Sequence, residues 1–314
     1  MKGTQEKKSI WKVFWNQRYI MMLVLPVAIW MLIFNYLPMF GIIIAFKQYN
    51  PYLGPIASFI ESPWVGLNNF KEILTDKYFL QALRNTLYYS FLNLIVGFPF
   101  PIIFALLLNE IVNIRIKRFV QSVSYLPYFI SWVFVIGFIY TIFADNGIVN
   151  NILLKLNIIK KQIPFLVTPE FVPPIVVLSN LWKWFGWNSI IYLAAISHID
   201  PTLYDSAIID GAGRFARMRY ITLPSIKPTI VILLIFNLAG LIANYGLFEQ
   251  MYLLSNSAIQ DVAEIIDTYT YRMGIVLGRF SYATAVGLFR SIASVILLLS
   301  ANYFSKKLFG ESLF

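Results

Sequence analysis

Long apolar runs alternate with short polar intervals along this chain. Six runs stand out, at roughly 20–46, 80–108, 120–143, 173–197, 225–248 and 281–304. Each has about the ~20 residues that a helix needs to cross hydrocarbon. The pattern predicts an all-α membrane protein with six transmembrane helices. Proline interrupts three of the runs, at Pro26 and Pro38, at Pro99 and Pro101, and at Pro127. Membrane helices tolerate such breaks where neighbours satisfy the freed carbonyls. The first run follows Lys2, Lys7, Trp11, Lys12, Trp15 and Arg18. It is too long for the ~7–15-residue apolar stretch of a cleaved signal, so it reads as a retained span.

Composition sharpens this picture. Of 314 residues, 59% are hydrophobic and only 13% charged, about half the charge of an ordinary soluble domain. The net charge of +10 would suggest nucleic acid in a soluble protein. Here the basic residues lie largely in loops beside spans, so nucleic acid is not an expected partner and the lipid bilayer is. One set of intervals holds fourteen Lys and Arg: the N-terminal arm, 109–119, 198–227 and the tail. The opposite set, 47–79, 144–172 and 249–280, holds eight in more residues. The bias places the first set in the cytoplasm, with both termini inside. The expected organisation is a cytoplasmic arm (1–19), a six-helix domain (20–307) with a cytoplasmic loop at 198–224, and a cytoplasmic tail (308–314). The chain has no cysteine and one histidine, which excludes disulfides, a thiol nucleophile and a histidine-rich metal site. His198, at the inner end of the fourth span, reads as an interfacial packing residue rather than a switch.

The longest internal cytoplasmic loop carries DSAIIDGAG, Asp205 to Gly213. Asp200 can cap a helix there, and Pro201 suits its first turn. Two turns follow, and Gly211 or Gly213 can end them in a left-handed conformation. A two-turn helix is unstable alone in water, and this one carries Leu203, Ala207, Ile208 and Ile209. It must dock, either on its own bundle and lipid or in a groove of a cytoplasmic partner.

The spacing of this loop is specific. Asp205-Ser206-Ala207, Asp210-Gly211-Ala212 and Ile221-Thr222-Leu223-Pro224 resemble the EAA loop of permease subunits of ABC importers, with Asp205 for glutamate and Ser206 for the first alanine. YLPMFGIIIAFKQYNP (36–51), WVGLNNF (64–70), ALRNTLYYS (82–90), SYLPYFISWVFV (124–135) and the ending ANYFSKKLFGESLF look like the permeases of complex-carbohydrate importers, relatives of the maltose-type permeases. The resemblance implies a type I importer fold and a non-catalytic role. The loop would be a coupling helix seated on a cytoplasmic ATPase through Tyr204, Asp205, Ser206, Ala207, Asp210, Gly211, Ala212, Gly213, Leu223 and Pro224. Two ATPase copies, a second homologous permease and an extracytoplasmic carbohydrate-binding lipoprotein would be the partners. ATP and Mg would lie on the ATPase, and no cofactor would be bound by this chain. It contains no G-x-x-x-x-G-K-[ST] phosphate loop.

For the substrate path, the fifth span offers Asn237, Gly240, Asn244, Tyr245 and Phe248 along roughly one helical face. The fourth offers Trp184, Gly186, Trp187, Asn188 and Ser189. Aromatic faces and amides suit sugars, although tryptophans also anchor at lipid interfaces and asparagines also join helices. By resemblance to maltose-type permeases, Gly186, Ser189 and Asn244 are favoured. Lys183 and Arg290 lie near mid-bilayer. A central charge costs at least ~2.5 kcal/mol, so each should meet carbonyls, an acid, a partner or an anionic sugar such as a uronate. Arg84, near the outer end of the second span, should snorkel. The rival class is a secondary transporter or an integral membrane enzyme. The membrane-depth acids, histidine clusters or inverted repeats that would favour it are not apparent in the sequence.

Overall fold

The computed structural model describes residues 17–243 and 245–313. They are helical throughout, with one isolated bridge between Lys47 and Trp64. The first helix, α1, runs Arg18–Phe46, followed by α2 (Asn68–Thr75), α3 (Lys77–Asn109), α4 (Ile114–Phe129), α5 (Trp132–Phe143) and α6 (Val172–Ser197). Two short helices come next, α7 (Pro201–Ile209) and α8 (Arg214–Ser225), then α9 (Lys227–Ala239), α10 (Phe248–Leu254), α11 (Ile266–Tyr271) and α12 (Phe280–Phe309). The stretches Arg18–Phe46, Lys77–Asn109, Trp132–Lys155 and Phe280–Phe309 are each long and apolar enough to cross a membrane; α8 and α9, bent by 62°, make a fifth if taken as one span.

All six expected runs are helical, but two are broken. The third run divides between α4 and α5, because the chain is extended at Ile130 and Ser131 just after Pro127. The fifth ends early. Gly240 caps α9 by donating its N–H to Phe236, and the chain restarts only at a short turn, Tyr245–Leu247, before α10. The expectation of one helical face from Asn237 to Phe248 is therefore corrected. Glycine at 240 is a weak helix former, and the stop falls there.

Two other prolines are absorbed rather than broken. The segments Leu32–Tyr36 and Met218–Thr222 are widened to π-helical turns, and each ends two residues before a proline, Pro38 or Pro224. A proline ring clashes with the carbonyl four residues back. Widening the turn moves the carbonyls of Phe34 and Tyr220 aside.

Packing centres on α6 and α12. The former lies against α3 and α4, and the latter against α9 and the end of α1. One core gathers Tyr89, Trp132, Val135, Val176, Met251 and Leu254; another joins Phe79, Ala82, Ile266, Tyr269, Tyr282 and Val286. The apolar window of α1 has no buried residue. A helix apolar on every side needs lipid or another subunit around it.

At the end of the bundle away from α7, Asp76 ties three elements. Its Oδ1 caps α3 by accepting from Tyr78 N and Phe79 N; its Oδ2 accepts from Tyr269 Oη at 2.5 Å and Tyr282 Oη at 3.0 Å. Burial alone would raise this carboxyl, but the four hydrogen bonds outweigh it and hold it below its usual range. A carboxyl whose folded value is depressed stabilises the fold above its unfolded value of ~3.9. That contribution is lost as the pH falls through the folded value. The melting temperature of native protein should exceed that of Asp76→Asn near pH 6. The gap should close as the pH is lowered from the unfolded value through the depressed folded one. A gap that stays constant across this range would remove Asp76 from the acid limb.

Candidate coupling surface and substrate path

The segment from Asp200 to Pro224 is built by local rules. Asp200 Oδ1 accepts from Thr202 N at 2.9 Å and caps α7. The helix ends in a Schellman motif: Ala212 N donates to Ala207 O at 2.8 Å and Gly211 N to Ile208 O at 3.0 Å, with Gly211 at φ +78°. Gly211 is thus the left-handed stop. Gly213 is extended and opens α8. Tyr204 Oη meets the buried Thr222 Oγ1 at 2.9 Å, which joins α7 to the far end of α8. Glu110, at the end of α3, lies 3.8 Å from Arg217 and 4.0 Å from Arg214. The pair anchors α8 to the bundle.

Anchored in this way, α7 leaves apolar side chains open on several sides. Leu203 is 49% exposed, Ile208 53%, Ile209 85% and Phe215 of α8 73%. Asp205, Ser206 and Asp210 are exposed beside them, as are Leu223 and Pro224 at the exit, while Ala207 and Ala212 are half-buried in the turn. No basic side chain among the described residues forms an ion pair with Asp205. Exposed apolar side chains interspersed with acids give the surface the mixed composition of one side of an interface.

Further along, α3, α6 and α9 enclose a cavity of about 270 Å³. It brings together Trp184, Asn237 and Gly240 of the expected path with Ser90, Asn93 and Asn180. Ser90 Oγ and Asn93 Nδ2 are buried there with no hydrogen-bond partner. Asn237 Nδ2 donates back to Leu233 O, and Asn180 Nδ2 to Gln250 Oε1.

The other expected path residues lie elsewhere. Gly186 sits against α4, where a Cβ would be 2.0 Å from Ser124 O. The buried Ser189 donates to Gly186 O. Trp187 stacks flat on Tyr128 at 4.0 Å, and it and Asn188 are exposed on the outside of α6. Asn244 lies outside the described residues, and the backbone of Tyr245 opens the short turn before α10.

Residues 97–310 match the family described as the binding-protein-dependent transport system inner membrane component. Protein LplB of Bacillus subtilis (strain 168) is 45% identical over 95% of this chain and 92% of its own length. The polygalacturonan/rhamnogalacturonan transport system permease protein YteP of the same organism is 43% identical over 99% and 94%. A solved bacterial ABC transporter involved in the import of the acidic polysaccharide alginate shares the fold with a TM-score of 0.86. It is 38% identical, over 96% of this chain and 100% of that one. A second crystal structure of the bacterial alginate transporter, in complex with an alginate pentasaccharide-bound periplasmic protein, matches with the same TM-score at 37% identity, over 98% and 100%.

The chain belongs to this family of binding-protein-dependent transport permeases. It is a multi-pass membrane protein with the fold of an ABC importer permease. The two mid-span cations of the permease have found protein partners. Lys183 is 5% exposed, and its ammonium reaches the carbonyls of Tyr128 at 3.0 Å, Pro127 at 3.4 Å and also Ile130. Pro127 O also accepts from Ile130 N, whereas the α4–α5 break leaves the carbonyls of Tyr128 and Ile130 to the ammonium, which lies 5.5 Å from the Trp132 ring. Arg290 pairs with Asp267 of α11. Lys183→Met would strand the carbonyls of Tyr128 and Ile130 and should cut transport of neutral and uronate oligosaccharides by equal factors. Loss of the uronate alone, with neutral transport intact, would show instead that the ammonium meets substrate.

Ser90, Asn93 and Asn180 were not among the candidates named from the pattern. Their signal was present: Ser90 and Asn93 are polar at i, i+3 inside the apolar second span, and Asn180 is one turn from Trp184.

Proposed function

We propose that this permease is the transmembrane subunit of an ABC importer that moves oligosaccharides or complex carbohydrates into the cytoplasm. The exposed apolar side chains of α7, at the spacing of an EAA loop, are the observation that carries the reading. It is the dock for a cytoplasmic ATPase, and two ATPase copies hold the ATP and Mg. In this reading the chain crosses the bilayer six times with both ends in the cytoplasm, arm 1–19 and tail 308–314 included. A second homologous permease completes the pore and covers part of α1, with lipid on the rest. An extracytoplasmic carbohydrate-binding lipoprotein delivers substrate. The names of YteP and of the alginate transporter support a complex-carbohydrate substrate.

A mechanical route supports the same assignment. ATP-driven closure displaces α7 and, through Tyr204–Thr222, α8 with it. The 62° bend passes that motion to α9. Its 13 residues span ~20 Å and end at Asn237 and Gly240 in the cavity. The chain's own part is thus to receive motion at one end of α9 and reshape a polar cavity at the other.

The test is co-expression with candidate ATPase and partner permease subunits, then ATP hydrolysis of the purified assembly with and without sugar-loaded binding protein. The reading expects a stable assembly whose hydrolysis rises with loaded protein. Folded partners that fail to assemble with this chain would overturn it.

A further inference from the structure

We infer that this chain's half of the path reads the hydroxyl groups of a sugar and does not read its charge. The inference rests on taking the cavity between α3, α6 and α9 as part of the substrate path. Its polar lining is Ser90, Asn93, Asn180 and Asn237, with the ring of Trp184, and no described lining residue is charged. Two of these groups, Ser90 Oγ and Asn93 Nδ2, are buried and unpartnered. A buried donor without an acceptor is costly, and both of these belong to residues in the wall of the cavity. A sugar hydroxyl both accepts and donates, so one hydroxyl answers an amide N–H and a serine O–H alike. The indole of Trp184 offers an apolar body for the C–H face of a pyranose. The volume, at the small end of ligand pockets, suits about one ring at a time.

A uronate would bring a carboxylate to membrane depth, where a charge needs a cation or water. The two mid-span cations are both committed elsewhere: Lys183 to the carbonyls closing α4, Arg290 to Asp267. Arg84 lies nearly two turns from Ser90 along α3 and does not line the cavity. Acidic relatives notwithstanding, selection for charge therefore falls to the binding protein or the second permease.

Matched sugars test this. Oligogalacturonate and its carboxyl-reduced counterpart share rings, linkages and remaining hydroxyls and differ only in charge; alginate pentasaccharide and its reduced form make a second pair. Binding of each is measured by calorimetry on the assembled importer in nanodiscs, without binding protein, for native chain, Ser90→Ala and Asn93→Leu. Melting of each assembly confirms folding. Each variant should weaken both members of a pair by the same factor, ~tenfold for a lost hydrogen bond. A loss ~tenfold larger for the acid member than for its reduced form would overturn the inference while leaving the cavity on the path. Binding and transport unchanged in both variants would take the cavity off the path, and the inference with it.

Discussion

Replacing Gly186 by alanine is expected to leave little folded permease in the membrane. The added Cβ would lie 2.0 Å from the carbonyl oxygen of Ser124 and 2.5 Å from its carbon. Both atoms are backbone, so no rotamer relieves the clash and α6 must move away from α4 by more than an ångström. It cannot do so alone. The same interface carries the Tyr128–Trp187 stack and the Lys183 ammonium that closes α4, and the other side of α6 is packed on α3. Overpacking costs ~1–3 kcal/mol where side chains can yield, and more is expected where backbone meets backbone. Against a total stability of ~5–15 kcal/mol, that loss is severe. Gly137→Ala is the control, since nothing lies within 4 Å of a Cβ there. Monodisperse yield and melting temperature in detergent are the readouts. A Gly186→Ala permease that melts within ~2 °C of native would mean that the helices do not touch there.

Gly211→Val is expected to uncouple the importer without unfolding it. Gly211 holds φ +78°, a region costing L-residues ~1–2 kcal/mol and β-branched ones more. The valine chain should escape by unwinding the end of α7, which would turn Ile208 and Ile209 away from their dock. Substrate-stimulated ATP hydrolysis of the assembled importer should fall ~tenfold or more. Gly213→Val keeps an extended backbone that any residue adopts and should retain most of the stimulation. Gly211→Asn should fall between, because asparagine tolerates the left-handed region. Equal behaviour of the two valine variants would show that the turn does not set the docking face.

The coupling loop was legible in the sequence because its structure is local. Asp200, Pro201 and Gly211 each act on neighbours within a few residues, so cap, first turn and stop could be read in order. The choice between Gly211 and Gly213 needed dihedral angles. Helix content followed from apolar run length. The breaks at Ile130 and Gly240 did not, because apolar residues continue through both. Lys183 showed only that it required a partner; which one depended on α4 ending beside it, over fifty residues earlier in the chain. Gly186 was favoured for the substrate path by resemblance alone, and its close approach to the backbone of Ser124 depends on a helix some sixty residues earlier in the chain. Ser90, Asn93 and Asn180 are polar in plain sight, but their convergence with Asn237 is a property of three packed helices.

The open apolar side chains of α7 also bear on how the subunits must be produced. Leu203, Ile208, Ile209 and Phe215 stand clear of the chain that carries them. In the proposed assembly, a copy made in excess of the ATPase would show the cytoplasm a sticky apolar surface, of the kind that chaperones and proteases engage. Synthesis of the subunits in matched amounts, as from a shared transcript, would keep that surface covered, and a permease made alone should be short-lived.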